Sequence, residues 1–383
     1  MDFDLSDEQR LLKDSVDRLI ADRYGFEQRK KYIAEDAGFS CDLWAQYADL
    51  GLLGLPFPEE YGGFGGGAVE TAIVMEAFGR GLVVEPYLAT VLLGGALVLA
   101  AGTAEQKQDL LPRVAEGSAL LAFAHHERNA RYDLADVAVR AGEHGGEWRM
   151  NGEKSLVLHG DVADTLIVSG RISGSRRDRG GIGLFLVDGK ARGVTRRAYR
   201  TQDNMRAADI HLEATPATPL GTPTGKHFAV IERVVDRAIA ALCAEAVGAM
   251  EALHAMTVDY LKTRKQFGRA IGEFQVLQHR SVDMFTTLEQ ARSMALFAAV
   301  MAEDEDAEER GRAIAAAKVQ IGRSGRHVGQ EAVQLHGGIA VTMEYAAGHY
   351  FKRLTMIDKT FGDADWHLTR LAAAGGLFGR QAA

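Results

Sequence analysis

Apolar positions recur at helical spacing through residues 1–118. Ser6 stands three residues before Gln9, a capping-box pattern, and Leu11, Leu12, Val16, Leu19 and Ile20 follow on one helical face. A second run, Leu43–Leu52, ends in the glycine- and proline-rich segment Leu53–Gly67, which contains Glu59-Glu-Tyr-Gly-Gly-Phe-Gly-Gly-Gly67. So permissive a segment predicts a tight loop and excludes a helix interior. Ala68–Leu82 and Tyr87–Ala101 predict two apolar helices, and Glu105–Ala115 a short amphipathic one.

The pattern changes over residues 119–222. Leu134–Arg140, Glu147–Asn151, Thr165–Gly170, Gly183–Val187 and Ala208–Leu212 are short apolar runs separated by Gly, Asp and Arg, the signature of strands. Ser173–Gly181 predicts an exposed hairpin tip whose positive charge reads as solvation. From Lys226 onward four long helical segments are predicted: Phe228–Lys262, Phe274–Glu303, Glu308–Leu335 and Phe351–Ala374. The acidic run Glu303–Glu309 reads as a solvated turn. The expectation is a mostly α protein with a β insertion. It has a helical domain (1–118), a middle β-barrel or sandwich domain (119–222) and a C-terminal four-helix bundle (223–383).

Composition excludes several classes. The 383 residues carry 44 Lys+Arg against 52 Asp+Glu, a net charge of −8, which argues against nucleic acid as a partner. Cys41 and Cys243 form no CxxC, so a reducing, cytoplasmic setting is expected. The start, Met1-Asp-Phe-Asp-Leu, lacks a signal pattern, and no apolar run approaches the ~18 residues of a membrane span. His125 and His126 are adjacent, and strand neighbours face opposite ways, so no metal site is expected there. G-x-S-x-G, H-E-x-x-H and Walker A patterns are absent, and the glycines of Gly62–Gly67 lie between helices, against a Rossmann loop.

Four segments together resemble the acyl-CoA dehydrogenase family, along essentially the whole chain. They are Glu59-Glu-Tyr-Gly-Gly63 with Gly65-Gly66, Gly152-Glu-Lys-Ser-Leu-Val-Leu-His-Gly160, Thr263-Arg-Lys-Gln-Phe-Gly268 with Ile271-Gly-Glu-Phe-Gln275, and Val333-Gln-Leu-His-Gly-Gly338. Phe361-Gly-Asp-Ala-Asp-Trp-His-Leu368 is most similar to the pimeloyl-CoA-dehydrogenase small-subunit branch. The resemblance implies an acyl-CoA thioester oxidised to the 2-enoyl-CoA, FAD as cofactor and electron-transfer flavoprotein as oxidant. It also implies a homo- or heterotetramer with an acyl-CoA dehydrogenase homologue, because the cofactor site is shared across subunits. The branch suggests a dicarboxylyl, aromatic-derived or otherwise bulky acyl group.

The site residues follow position by position. Arg264, Gln266 and Phe267 match positions that meet the FAD of a neighbouring subunit, and a guanidinium suits a pyrophosphate. Phe274 and Gln275 follow. Gln334, Leu335, His336, Gly337 and Gly338 match the loop beside the adenine-side phosphates. Phe123, His125 and His126 align beside the flavin ring. The family's loop after that strand, roughly Thr-Glu-Pro-x-Ala-Gly-Ser-Asp, is here His126-Glu-Arg-Asn-Ala-Arg-Tyr-Asp133, with Arg131 and Tyr132 in place of a small pair. Leu156, Val157 and Leu158 replace a Trp-Ile-Thr-like triplet, and alternation alone equally allows Leu156 and Leu158 as strand core. Asp365, Trp366 and His367 match positions near the flavin-side phosphates or ribose.

The family's base is a Glu, and Asp363, one methylene shorter, aligns with it. The same Asp363 reads equally as the N-cap of a helix starting near Trp366. Asp236 and Glu245 are further carboxylates on the first bundle helix, and a base on a partner subunit is the remaining alternative. Three functional readings follow: a dehydrogenase using Asp363, a catalytically degenerate subunit that completes a homologue's FAD site, and a flavin oxidase of the same fold.

Overall fold

A computed structural model describes residues 5–376; Met1–Asp4, used above to argue against a leader, and the last seven residues of the bundle domain lie outside it. The chain order is helices, then β, then helices. The first part holds α1 (Asp7–Arg23), α2 (Phe26–Ala34), α3 (Cys41–Asp49), α4 (Ala68–Gly81), α5 (Ala96–Ala101) and α6 (Ala104–Ala115). The capping box forms at the start of α1: Gln9 N–H donates to Ser6 Oγ while the Gln9 side chain accepts from Ser6 N–H. Tyr87–Ala101 differs from the expected single α-helix. Its first half, Leu88–Gly95, is a fully buried π-helix. There Thr90 Oγ1 donates to the carbonyl of Leu121 and accepts from its N–H, tying the π-helix to the first strand.

By contact the described chain forms two compact units. One holds residues 1–31, 68–83 and 239–383, the other 32–67 and 84–238.

The β unit contains β1 (Leu121–Ala124), β2 (Arg140–His144), β3 (Glu147–Leu158), β4 (Thr165–Arg171), β5 (Ile182–Asp188), β6 (Val194–Arg200) and β7 (Arg206–Pro219). The order is β1-β4-β2-β3-β7-β5 with β6 on β7, and β5 also pairs with β4, closing the sheet. Its core includes Val139, Met150, Val157, Val168, Phe185 and Ile210. Leu134–Val139 is not the strand its composition predicts. Side chains occupy that backbone instead: Glu127 accepts from Ala138 and Val139 N–H, and Arg171 donates to Ala135 and Val137 carbonyls. The strand begins only at Arg140. β1 and β6 are too short or too charged to have been read from pattern.

The helical unit carries α8 (Gln275–Met301), α9 (Ala307–His336), α10 (Ala346–Lys359) and α11 (Ala364–Ala373), with α7 (Phe228–Thr263) entering it from Ile239 onward. The single segment expected over Phe351–Ala374 is two helices, because Phe361 (φ 58°) and Gly362 (φ 112°) break it and Asp363 caps the second. α7 is long and apolar enough to cross a membrane, yet 72% of its most apolar window is buried within the fold. Glycines set how closely α4 and α7 approach. A Cβ on Gly248 would lie 1.8 Å from the Glu76 carbonyl oxygen, and one on Gly79 1.9 Å from that of Glu245. Beside this contact, Arg80 pairs with Asp17, Glu76 and Glu251, and Arg292 with Glu76 and Glu251.

Gly248→Ala must push the two helices apart, and overpacking of this kind costs about 1–3 kcal/mol. The expected outcome is a lower urea midpoint with an unchanged m-value, measured by denaturant unfolding.

Candidate functional site

In the β unit, β1 delivers Phe123 and His125, both buried, with rings stacked at 5.1 Å and 19°. His125 Nδ1 lies 2.9 Å from Ser169 Oγ. Burial, and then the ammonium of Lys154, hold the His125 imidazolium well below its ordinary pKa, so the ring is neutral. Behind it lies an ion pair that pattern reading missed. Lys154, fully buried, donates to Glu127 Oε1 at 2.8 Å, to Ser169 Oγ at 2.9 Å and to the His125 carbonyl at 3.1 Å. Burial brings the Lys154 pKa down to about 8 although Glu127 opposes the shift. Both residues fall inside the quoted family segments, but nothing in their spacing signals that they meet.

The pair ties the 126–139 loop to β3, and His126 joins it there. Ser155 N–H donates to the His126 carbonyl at 2.8 Å, and His126 Nδ1 lies 3.1 Å from Ser155 Oγ. So His126 meets β3 at Ser155, the residue before Leu156. The orientations of Leu156–Leu158 differ from a simple core strand: Val157 is in the core, Leu158 is half-buried, and Leu156 is 39% exposed. Leu156 has φ 52°, a conformation costly for a leucine. Its N–H is held by Tyr199 Oη at 3.1 Å and Asp209 Oδ1 at 3.2 Å. Arg131 keeps φ 51°, which explains why the family pattern has glycine there.

In the helical unit, Arg264, Gln266 and Phe267 form an exposed hairpin. β8 (Lys265–Gln266) pairs with β9 (Arg269–Ala270) around Phe267 (φ 54°) and Gly268 (φ 82°). Two positive φ values are what a two-residue hairpin turn requires. Phe267 is 90% exposed, contacting Phe274 edge-on at 6.1 Å, while Gln275 is exposed at the start of α8. Tyr260, one turn before Arg264, packs its ring against His336 at 4.6 Å with a 34° tilt, so the hairpin base and the Gln334–Gly338 turn adjoin. His336 and Leu335 are buried; Gln334, Gly337 and Gly338 are exposed. A Cβ at Gly337 or Gly338 would meet nothing within 4 Å, so the backbone there is open to a ligand.

Asp363 is a helix cap. Its Oδ1 accepts from Trp366 N–H at 2.9 Å and its Oδ2 from Lys359 Nζ at 2.9 Å. Burial alone would raise this carboxyl, but Lys359 and the Trp366 amide outweigh it and hold the pKa below the ordinary value. A base for a weakly acidic α-proton needs the opposite shift. Asp365 is exposed and Trp366 half-buried in the first turn of α11. His367 turns inward instead of outward: it is fully buried, and Nε2 lies 3.0 Å from the Phe361 carbonyl. Buried Lys318 donates to the carbonyls of Ile357 and Asp358 at the end of α10, and Ala364 N–H donates to Asp358 Oδ1. Glu245, the second carboxylate, is buried and paired bidentately with Arg353 at 2.6 and 2.7 Å. Asp236 is buried on α7.

These residues fit FAD in part. Arg264 with Gln266, and the open Gly337–Gly338 backbone, suit a pyrophosphate. The ring side fits less well, because Leu158 has no hydrogen-bonding side chain and the Leu156 N–H is already engaged.

Family models for the acyl-CoA dehydrogenase N-terminal, middle and C-terminal domains match residues 6–118, 122–214 and 226–375. The chain belongs to the acyl-CoA dehydrogenase family. A curated relative, the probable acyl-CoA dehydrogenase YngJ of Bacillus subtilis, is 30% identical over 98% of this chain and 99% of its own. A solved variant of the Tcur3481-Tcur3483 steroid ACAD superimposes with TM-score 0.86 at 32% identity, covering 96% and 97% of the two chains. The ChsE4-ChsE5 complex from Mycobacterium tuberculosis gives 0.87 at 25% identity, covering all of both chains. The FAD complex of PigA gives 0.89 at 26% identity, covering 99% and 100%.

Burial, then Lys318 and Arg370, bring the His367 pKa down to about 3, against ~6.5 when unfolded. Between those values the unfolded chain binds the proton and the folded one does not. The His367 contribution to stability is therefore present above pH ~6.5 and lost progressively as pH falls toward 3. His367→Gln is expected to flatten the fall in thermal midpoint between pH 6.5 and 4, read by calorimetry at a series of pH values.

Proposed function

We propose that this chain takes part in FAD-dependent α,β-dehydrogenation of an acyl-CoA thioester as one subunit of a heteromeric assembly. It holds the phosphate side of a shared cofactor, and the carboxylate that removes the α-proton comes from a homologous partner chain. One observation carries the reading: the carboxylates at the base positions are already engaged. Asp363 caps α11 and pairs with Lys359, and Glu245 is locked on Arg353. When bound, FAD supplies the acceptor for the hydride leaving the β-carbon.

Arg264 and Gln266 are exposed on their hairpin, reachable by the cofactor of a neighbouring subunit. Phe267, 90% exposed beside them, is apolar surface that a partner would cover. A site divided in this way makes a monomer incomplete and favours a dimer of dimers. The similarity to the ChsE4-ChsE5 complex supports a heteromeric arrangement, and the similarity to the FAD complex of PigA supports FAD as the cofactor. The similarity to the Tcur3481-Tcur3483 steroid ACAD supports a bulky acyl group. Assignment to the pimeloyl-CoA-dehydrogenase small-subunit branch rests on the Phe361–Leu368 segment alone. Electron-transfer flavoprotein as oxidant, a cytoplasmic setting and the division at residues 118 and 222 complete the reading.

The test is an absorbance spectrum from about 300 to 550 nm, the flavin range, under anaerobic addition of acyl-CoAs. It compares the chain purified alone with the chain co-expressed with a longer homologue that carries the family's Glu at the position of Asp363. Flavin bleaching only in the co-expressed assembly is expected. Full bleaching by the isolated chain would overturn the division of labour and restore a stand-alone dehydrogenase.

A further inference from the structure

His336 is the basic residue in the last turn of α9, and it is 3% exposed. Its Nδ1 lies 2.8 Å from the carbonyl oxygen of Ala332, one turn back, and opposite a carbonyl that nitrogen must hold the proton. The neutral ring then has only a lone pair at Nε2. That atom is buried without a hydrogen-bond partner, and the ring's other neighbour is a second carbonyl, that of Met256 on α7. Two acceptors thus flank a ring that can donate to only one of them. The imidazolium donates to both.

Two further features favour the cation. The ring packs against Tyr260 at 4.6 Å and Tyr345 at 5.2 Å, within the range over which an aromatic face attracts a positive charge. It also stands at the C-terminus of a 30-residue helix, the negative end of the helix dipole. Burial opposes these features and is the largest effect, so the His336 pKa lies below its ordinary value. No charged side chain enters that balance. Asp259 of α7 acts on Tyr345, and Glu331 of α9 is held by Arg280 of α8. The titratable groups facing the ring are therefore Tyr260 and Tyr345, and burial raises the Tyr345 hydroxyl so that it stays neutral.

The residues that follow give this charge a use. Gly337, at φ 67°, turns the chain out of α9, and a Cβ on Gly337 or Gly338 would meet nothing within 4 Å. An anion settling against that backbone approaches the negative end of α9, which repels it. A proton on His336 offsets the repulsion at the same helix end, and the anion in turn favours the protonated ring. Each strengthens the binding of the other, by the reciprocity of linked sites.

We propose that His336 is a proton-linked binding residue: a diphosphate docked on the Gly337–Gly338 turn is held together with a proton taken up by the His336 ring. The proton comes from solvent and goes to Nε2, which then donates to the Met256 carbonyl. The proposal rests on the cofactor reading for the identity of the diphosphate as that of FAD.

The test is calorimetric titration of FAD into the full chain, freed of flavin and in whichever assembly it is isolated, from about pH 5 to pH 8, where a histidine titrates. The FAD diphosphate is a diester with a fixed charge over this range, so a proton taken up belongs to the protein. Repeating the titration in two buffers of different ionisation enthalpy reads that uptake directly. Affinity is expected to rise about tenfold as pH falls across the range, with net proton uptake on binding. Riboflavin, which lacks the phosphates, should show neither effect. His336→Gln cannot take the proton, and its affinity for FAD should be the same at both ends of the range. Tyr345→Leu removes one aromatic face and should move the rise in affinity to lower pH. An affinity independent of pH would overturn the proposal. So would proton uptake that persists in His336→Gln or is matched by riboflavin. Failure to bind FAD at every pH overturns it together with the cofactor reading. Bleaching by acyl-CoA is read separately, so FAD that binds with a proton and never bleaches ends the dehydrogenase reading and leaves the role of His336 standing.

Discussion

A charge removed from water has to be matched, and three such matches hold this protein's working parts in place. Glu127 and Lys154 bind the 126–139 loop to β3. Glu245 and Arg353 join α7 to α10. Lys318 takes the last carbonyls of α10 and so fixes where the turn toward α11 begins. Removing one partner of such a pair leaves an unpaired buried charge, typically costing about 3–5 kcal/mol. Each of these groups is thereby committed to a partner within the fold. That constraint separates structural charges from those that stay exposed, such as Arg264.

Backbone conformation points to the same places from another direction. Of the non-glycine residues with positive φ, Arg131, Leu156, His159, Phe267 and Phe361 fall within the segments that resemble the family. Strained φ values persist where the surroundings over-determine them, and they cluster at ligand clamps. At Leu156 the surroundings are visible: Tyr199 and Asp209 hold its N–H, and burial followed by Asp209 raises the Tyr199 hydroxyl to a pKa of about 12, so it stays protonated. At Phe361 they are the Lys318-bound end of α10 and the buried His367 ring.

Much of the fold was legible because helical period, caps and turn residues are local. The Ser6 box, the ends of α4 and α6 and the break after Leu335–His336 need no tertiary information. The misreadings arise where partners are distant in sequence. Leu134–Val139 has strand composition, but Glu127 and Arg171 occupy its backbone groups. The π-helix at Leu88–Gly95 is dictated by docking on Leu121. Asp363 was legible as both base and cap, and only its hydrogen bonds show the cap. The exposed tip at Ser173–Gly180 was legible, but nothing local reveals that Arg171 is buried beneath it.

The central claim is that Asp363 holds a turn and does not remove a proton. The most direct measurement is the anaerobic rate of flavin reduction by acyl-CoA in the co-assembled enzyme carrying Asp363→Asn. Asparagine caps a helix about as well as aspartate but cannot act as a base. The account predicts a reduction rate within a few-fold of the unmodified assembly. A loss of several orders of magnitude, with the assembly intact and its flavin bound, would contradict it and make Asp363 the base.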